Sequence, residues 1–331
     1  MPGNRAGGRR RAASIGRALA GIALAAASAA GAQSFPARPL RLVVPFGPGG
    51  VGDITARAVA QRMADAMGQQ VIIDNRPSAG GIVASELVAK AEPDGHTMLL
   101  MNNPNAVSAT LFRKLPYDAV RDFAMVSTIG AFSIVVLVSP EAPSKTLREL
   151  IAAARANPAR LNLGSIQIGS TQHLSAELFK SMAGLEAVTV PFNNTAGVLT
   201  ALRGGNVQVA FEFLPAVIGQ IRAGTLRALA VSPPKRFAVL PEVPTVAEAG
   251  IPGYEVTSWN GIAVPAKTPR PVVDRLNREI TAAIASPDVT KRFQELSVDP
   301  NPSTPEGMHR LLVDEIGKWK SVIEKAKIER Q

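Results

Sequence analysis

An α/β fold of two lobes, each a mainly parallel sheet flanked by helices, is what this sequence predicts. Three observations carry that expectation. Short β-branched runs alternate with longer amphipathic segments, the alternation starts afresh near residue 146, and the roughly 299 residues that follow the first 32 exceed what one hydrophobic core usually holds. In the first series, residues 40–45 form a strand that runs into a glycine-rich turn, and a helix follows from about Asp53. Val59, Met63 and Met67 recur at four-residue spacing to give that helix one apolar face, and Gly68 sits where it ends. Residues 71–73 make the next strand. Residues 97–101 and 134–138 are continuous apolar runs, which suit strands buried on both faces of a parallel sheet.

The second series begins with a helix over 146–156, a strand over 161–163 and a helix after Ser170 whose buried stripe reads Leu174, Leu178, Met182 and Leu185. A strand over 188–190, a helix over 195–203 ended by Gly204 and Gly205, and strands over 207–211 and 226–231 complete it. Residues 233–252, rich in proline, read as surface connection, 259–265 as extended and 272–285 as helical. The expected lobes are residues 36–138 with 256–331, and 139–255.

The first 32 residues stand apart, with Arg5, Arg9, Arg10, Arg11 and Arg17 and no acid, then an alanine-rich run and Ala30-Gly31-Ala32. They read as an export signal cleaved between Ala32 and Gln33, with the apolar run short of the roughly 20 residues of a membrane span. The expected compartment is therefore the periplasm. Without the signal the chain carries 31 basic and 26 acidic residues, a net charge of +5 rather than +10. No basic block with interleaved aromatics remains, which argues against a nucleic-acid partner and leaves modest attraction for anions. Cysteine is absent, which excludes a thiol nucleophile, a thiolate metal site and a lipid-bearing cysteine anchor. His96, His173 and His309 lie far apart, so neither a metal nor another cofactor is expected.

Two strand-to-helix turns carry the candidate chemistry. In Pro45-Phe46-Gly47-Pro48-Gly49-Gly50-Val51-Gly52-Asp53, glycines let backbone N–H groups approach a ligand at a helix start, where a carboxylate is a suitable guest. Asp53 reads equally as the N-cap of that helix or as a ligand contact. Gly47, Gly49 and Gly52 also fit G-x-G-x-x-G with Asp74 22 positions beyond, the pattern of a dinucleotide-binding oxidoreductase. Two prolines in the turn and the lack of a hydride-transfer acid or base weigh against it. In Gly164-Ser165-Ile166-Gln167-Ile168-Gly169-Ser170-Thr171-Gln172-His173, Ser170 or Thr171 is placed to cap a helix and leave donors facing outward. A hydrolase would use Ser170 as nucleophile and His173 as base, but G-x-S-x-G is missing.

At these turns and beyond them the chain resembles the Bug family, the TctC-like extracytoplasmic receptors of tripartite tricarboxylate transporters. The resemblance continues through Asp74-Asn75-Arg76-Pro77-Ser78-Ala79-Gly80-Gly81, Pro93-Asp94-Gly95, Lys114-Leu115-Pro116-Tyr117-Asp118, Arg222-Ala223-Gly224, Leu240-Pro241-Glu242-Val243-Pro244-Thr245 and Trp259-Asn260-Gly261. It implies a type II periplasmic binding protein, a Venus flytrap of two α/β lobes joined by two crossing strands, and no enzyme. The ligand contacts it implies are Phe46, Gly49, Gly50 and Asp53 on one lobe and Ser165, Gly169, Ser170, Thr171 and His173 on the other, with Asn103, Thr195 and Ala196 completing the cleft. Glu212 replaces the family's commoner aspartate after Phe211 and joins that set, and Phe192-Asn193-Asn194 replaces a tyrosine, lysine and glycine. The implied solute is a small carboxylate, whether dicarboxylate, amino acid or aromatic acid. The implied partners are inner-membrane transporter subunits or, alternatively, a sensor kinase, with the receptor itself a monomer.

Overall fold

The strand β1 (Leu40–Val44) lies between β2 (Val71–Asn75) and β3 (Thr97–Asn102), and all three run parallel. β3 then pairs antiparallel with β9 (Thr257–Pro265), and β9 with the long strand β4 (Phe123–Val138). Here β4 changes lobes. Its residues 123–133 pair with β9, whereas 134–138 pair with β7 (Val209–Phe213) and β8 (Arg227–Val231). β7 in turn lies parallel to β5 (Asn162–Ile166), which is parallel to β6 (Val188–Phe192). A short β10 (Asp299–Pro300) borders β4. The computed structural model describes residues 35–325 and 327–331, of which 38–331 form one compact unit. The expected export signal at 1–32 and its expected cleavage point lie outside the described residues.

The first lobe thus has three parallel strands and the second has four that run the same way, as the sequence leads one to expect, but residues 134–138 and 259–265 run antiparallel to their neighbours. The reason is physical: a strand buried on both faces loses its alternation in either orientation, so a continuous apolar run does not report direction. Ser232 ties the crossing together. Its Oγ accepts the N–H of Ile134 on β4 (2.9 Å) and donates to the carbonyl of Val256, just before β9 (2.5 Å).

Ten α-helices among the described residues cover the sheet. α1 (Val51–Met67) starts two residues earlier than expected, with Gly50 as its N-cap, so Asp53 is its third residue and not its cap. Gly68 closes it with φ 66°. α2 (Ile82–Ala89) and α3 (Asn103–Leu111) complete the first series. In the second lobe, Thr146 caps α4 (Leu147–Ala156) by accepting the N–H of Glu149. α5 (Thr171–Ala183) buries Leu174, Phe179 and Ala183, whereas Met182 of the expected stripe is 39% exposed. Phe179 wins because it packs on Phe211 of β7 and on Tyr254, an aromatic cluster that a four-residue count cannot register. α6 (Thr195–Arg203) and α7 (Leu214–Arg222) follow.

Three helices then return to the first lobe: α8 (Arg270–Ile284), α9 (Pro287–Glu295) and α10 (Pro305–Lys325). Trp319 of α10 is fully buried and its indole Nε1 donates to Asn103 Oδ1 at the start of α3 (2.8 Å). One apolar cluster runs through both lobes, joining Val43, Leu99 and Met101 to Leu163, Phe179 and Phe211.

At Gly261 of β9 the sheet and α10 approach each other closely. A Cβ there falls 2.6 Å from Met308 Cε and 2.9 Å from the carbonyl oxygen of Ser127. The thioether can move, but the strand carbonyl cannot without breaking the β4–β9 ladder. Gly261→Ala is therefore expected to destabilise the protein by about 1–3 kcal/mol, read as a lower thermal midpoint. An unchanged midpoint would contradict this packing.

Candidate functional site

Where the two lobes meet, the ends of β1, β5, β6 and β7 and the crossing strands enclose a cavity of about 480 Å³. Its walls are the β1–α1 corner from Phe46 to Gly52, the first turns of α5 and α6, Glu212 and Phe213 of β7, and Phe132, Ser258 and Asn260 of the crossing strands. A parallel strand followed by a helix brings the helix N-terminus to the carboxyl edge of the sheet, so both lobes direct helix starts to the same place.

The β1–α1 corner is fixed by side chains behind it. Gly49 has φ 84°, a conformation open to glycine and strained for other residues. Asp53 reaches back to accept the Gly49 N–H (2.9 Å) and also accepts from Arg57 Nε (2.9 Å) and Asn75 Nδ2 (3.0 Å). Burial pushes the Asp53 carboxyl up, yet these bonds prevail and hold it below its ordinary value. Asn75 Nδ2 bonds the carbonyl of Phe46 as well (2.9 Å), so the loop is stapled at both ends.

The second corner is built by capping. Ser170 Oγ accepts the N–H of His173 (3.1 Å) and donates to the carbonyl of Ile166 (2.8 Å), which uses up its hydroxyl. Asn194 Oδ1 caps α6 through the N–H of Gly197 (2.9 Å). What remains are the backbone N–H groups of Val51 and Gly52, of Thr171 and Gln172, and of Thr195 and Ala196. None has a partner among the described residues, and all six residues line the cavity. Three helix N-termini, each with about half a positive charge, bear on one small space.

Thr171 also ties the walls together. Its Oγ1 accepts from Asn103 Nδ2 (3.2 Å) and pairs with Ser258 Oγ (3.1 Å), and Asn103 in turn accepts the Trp319 indole. A polar chain from α10 through α3 to α5 thereby sets the spacing of the two corners.

Among the described residues that line the cavity, Glu212 is the one that ionises at ordinary pH; no lysine, arginine or histidine joins it. It is fully buried, its Oε1 has no hydrogen-bond partner among the described residues, and its Oε2 receives one long bond from Gln172 Nε2 (3.4 Å). Burial pushes its carboxyl up to about 7, with the nearby polar groups of Gln172, Thr195 and the Phe213 backbone acting in the opposite direction.

Of the residues singled out from sequence, Phe46, Gly49, Gly50, Ser170, Thr171, Thr195, Ala196 and Glu212 line the cavity. Asp53, Asn103, Ser165, Gly169 and His173 do not. Asp53 and Asn103 brace the wall from behind. Ser165 is buried within β5, and Gly169 abuts Leu111 and Phe112 where the lobes touch. His173 is the third residue of α5, and burial holds its imidazole below its ordinary value.

The wall also contains residues the sequence did not disclose as site residues: Asn102, Phe132, Gln172, Phe213 and Asn260. Asn102 and Asn260 face each other in the β3–β9 register, and each has an amide oxygen without a partner among the described residues. The motif Trp259-Asn260-Gly261 offered a signal for Asn260, but its place depends on strand pairing. The dinucleotide alternative loses its acid, because Asp74 is engaged by Arg41 and Arg76 and is absent from the cavity wall. The hydrolase alternative loses its nucleophile, because the Ser170 hydroxyl bonds the backbone and not the His173 ring.

Two α/β lobes, crossing strands and a cavity between them define a protein of the periplasmic binding class. Residues 55–328 match the model of the tripartite tricarboxylate transporter family receptor, TctC, and the chain belongs to that family of solute-binding receptors. A protein in the tcbD-tcbE intergenic region of Pseudomonas sp. strain P51 is 39% identical over 312 residues, 93% of either chain. The structure of Rhodopseudomonas palustris Rpa4515 with adipate superposes with TM-score 0.85 at 37% identity, covering 89% of this chain and 99% of that one. MatC from the same organism, with bound malate, gives 0.82 at 32% identity, covering 87% and 100%.

The state of Glu212 yields a test of the site's electrostatics. Its folded pKa lies above the ordinary 4.5, so between about pH 4.5 and 7 the folded state holds a proton that the unfolded state has lost. Stability contributed by the neutral carboxyl is therefore present below 4.5 and is lost as pH rises through about 7. Glu212→Gln, neutral throughout, is expected to melt above the wild type at neutral and higher pH, with the gap closing toward 4.5. A gap independent of pH would mean that Glu212 ionises normally.

Proposed function

We propose that this chain is a periplasmic receptor that captures a small carboxylate-bearing metabolite between its lobes and delivers it to a tripartite tricarboxylate-type transporter in the inner membrane. The observation that carries this reading is the set of unpaired helix N-terminal N–H groups around a cavity that has no basic side chain among its described residues. Such donors suit a carboxylate: they are fixed in direction, they need no counter-charge, and they make several hydrogen bonds to one oxygen pair. A cavity of this size fits a metabolite of a few carbons, and both adipate and malate, found in the two related structures, are acids of that kind.

Donors from α1 belong to one lobe and those from α5 and α6 to the other, so a solute held by both bridges the cleft. It then binds the closed arrangement more tightly than the open one and shifts the population toward closure in proportion to that difference. The closed form is what a membrane partner is expected to recognise. No step of this cycle makes or breaks a covalent bond.

Titration calorimetry with adipate, malate, acidic amino acids and aromatic acids tests the reading, and binding of at least one acid is the expected result. Ala196→Glu places a second acid at the start of α6, beside the free amides. It is expected to weaken acid binding by about tenfold or more while leaving the thermal midpoint close to that of the wild type. Acid affinity unchanged in this variant would place the bound carboxylate elsewhere.

A further inference from the structure

Glu212 has no place in a site that binds acids through amide hydrogens alone. An ionised carboxylate in the wall repels the guest, and burying a second uncompensated negative charge beside it is costly. The usual remedies are missing. β4, β5 and β7 contribute no ionisable group besides Glu212 itself, and the nearest turns of α5, α6 and α7 bring only the neutral Gln172 and Thr195 to it. Arg203 and Arg222, in the last turns of α6 and α7, are not among the residues that line the cavity, although Gln220 of the same α7 turn is. His173, on α5, interacts with Glu177 and Lys180.

Resting on the carboxylate-cleft reading, we propose that Glu212 determines which charge the cleft accepts: it is neutral whenever an acid without an amino group is bound, so capturing such an acid above neutral pH takes up one proton. The proton passes from solvent to a Glu212 carboxyl oxygen, and no covalent bond to the solute forms. Three features of the site support this. Oε1 is fully buried and accepts no hydrogen bond from the described residues, so a proton on it meets no opposing donor. The cavity offers no cation among its described residues to hold Glu212 and the solute charged together. The free carboxyl already sits near the midpoint of its titration at neutral pH, and an incoming anion pushes it further toward the neutral form. A solute with an ammonium group reverses the sign, since it is served by the ionised carboxylate.

The test uses adipate as probe, with the full mature protein and Glu212→Gln, in calorimetry between about pH 6 and about pH 8, each in two buffers of different ionisation enthalpy. In the wild type the competent neutral fraction falls from about nine tenths to about one tenth over that range, so the dissociation constant is expected to rise about tenfold. Proton uptake is expected to approach one per adipate at the upper end. Glu212→Gln, which mimics the neutral acid, is expected to retain the low-pH affinity throughout with no uptake.

Wild-type affinity that stays flat or strengthens with rising pH would overturn the inference, as would equal proton uptake by Glu212→Gln. Failure of adipate to bind either protein at the lower pH overturns it too, because a neutral Glu212 is expected to admit this acid. Flat binding that Ala196→Glu still abolishes defeats this inference alone. Binding that Ala196→Glu leaves unchanged defeats the carboxylate cleft itself.

Discussion

An α-helix cannot satisfy the N–H groups of its own first turn, and much of this structure is arranged around that constraint. Side-chain caps answer part of it at α5 and α6, through Ser170 and Asn194. At α1 the third residue, Asp53, reaches back past the helix start to Gly49. Each device meets one donor and leaves the next ones without a partner among the described residues, on residues that line the space between the lobes. The fold turns a local deficit into a shared property of the cavity, because three helices begin at its edge.

Holding those helix starts in position is the task of the elements behind them. β4 and β9 cross from lobe to lobe, Ser232 pins the crossing, and the chain Trp319, Asn103, Thr171, Ser258 fixes α5 against the first lobe. Preorganised donors lose little entropy when a guest arrives, whereas flexible basic side chains must be frozen first. For the proposed acid guest, that difference favours a cavity without a basic side chain in its described wall. It also isolates Glu212, whose charge no other residue of the described wall offsets.

Much of the fold was legible because parallel strands and their helices announce themselves by composition and glycine stops: β1, β2, β3 and β5 to β8 fall where the apolar runs lie, and Gly68 and Gly204 end their helices as expected. Strand direction was not legible, since the double burial of β4 and β9 erases the alternation that would have betrayed it. The two strand-to-helix corners were legible as donors, but the division of labour within them was not. Asp53 and Asn103 have the chemistry of ligand contacts, and only the partners Gly49, Arg57 and Asn75, or Thr171 and Trp319, show that they brace the wall. Asn102 and Asn260 escaped notice for the opposite reason: each looks ordinary in its strand, and only the β3–β9 register sets them side by side at the cavity.

The central claim is that the unpaired amides of α1, α5 and α6 hold the guest from opposite walls. Backbone amide chemical shifts, followed by nuclear magnetic resonance as adipate is added, report on those N–H groups one by one. The expected result is a concerted movement of the Val51, Gly52, Thr171, Gln172, Thr195 and Ala196 resonances toward the positions of strongly hydrogen-bonded amides, saturating with a single dissociation constant. Saturable binding that leaves those six resonances still, and moves others instead, would contradict it.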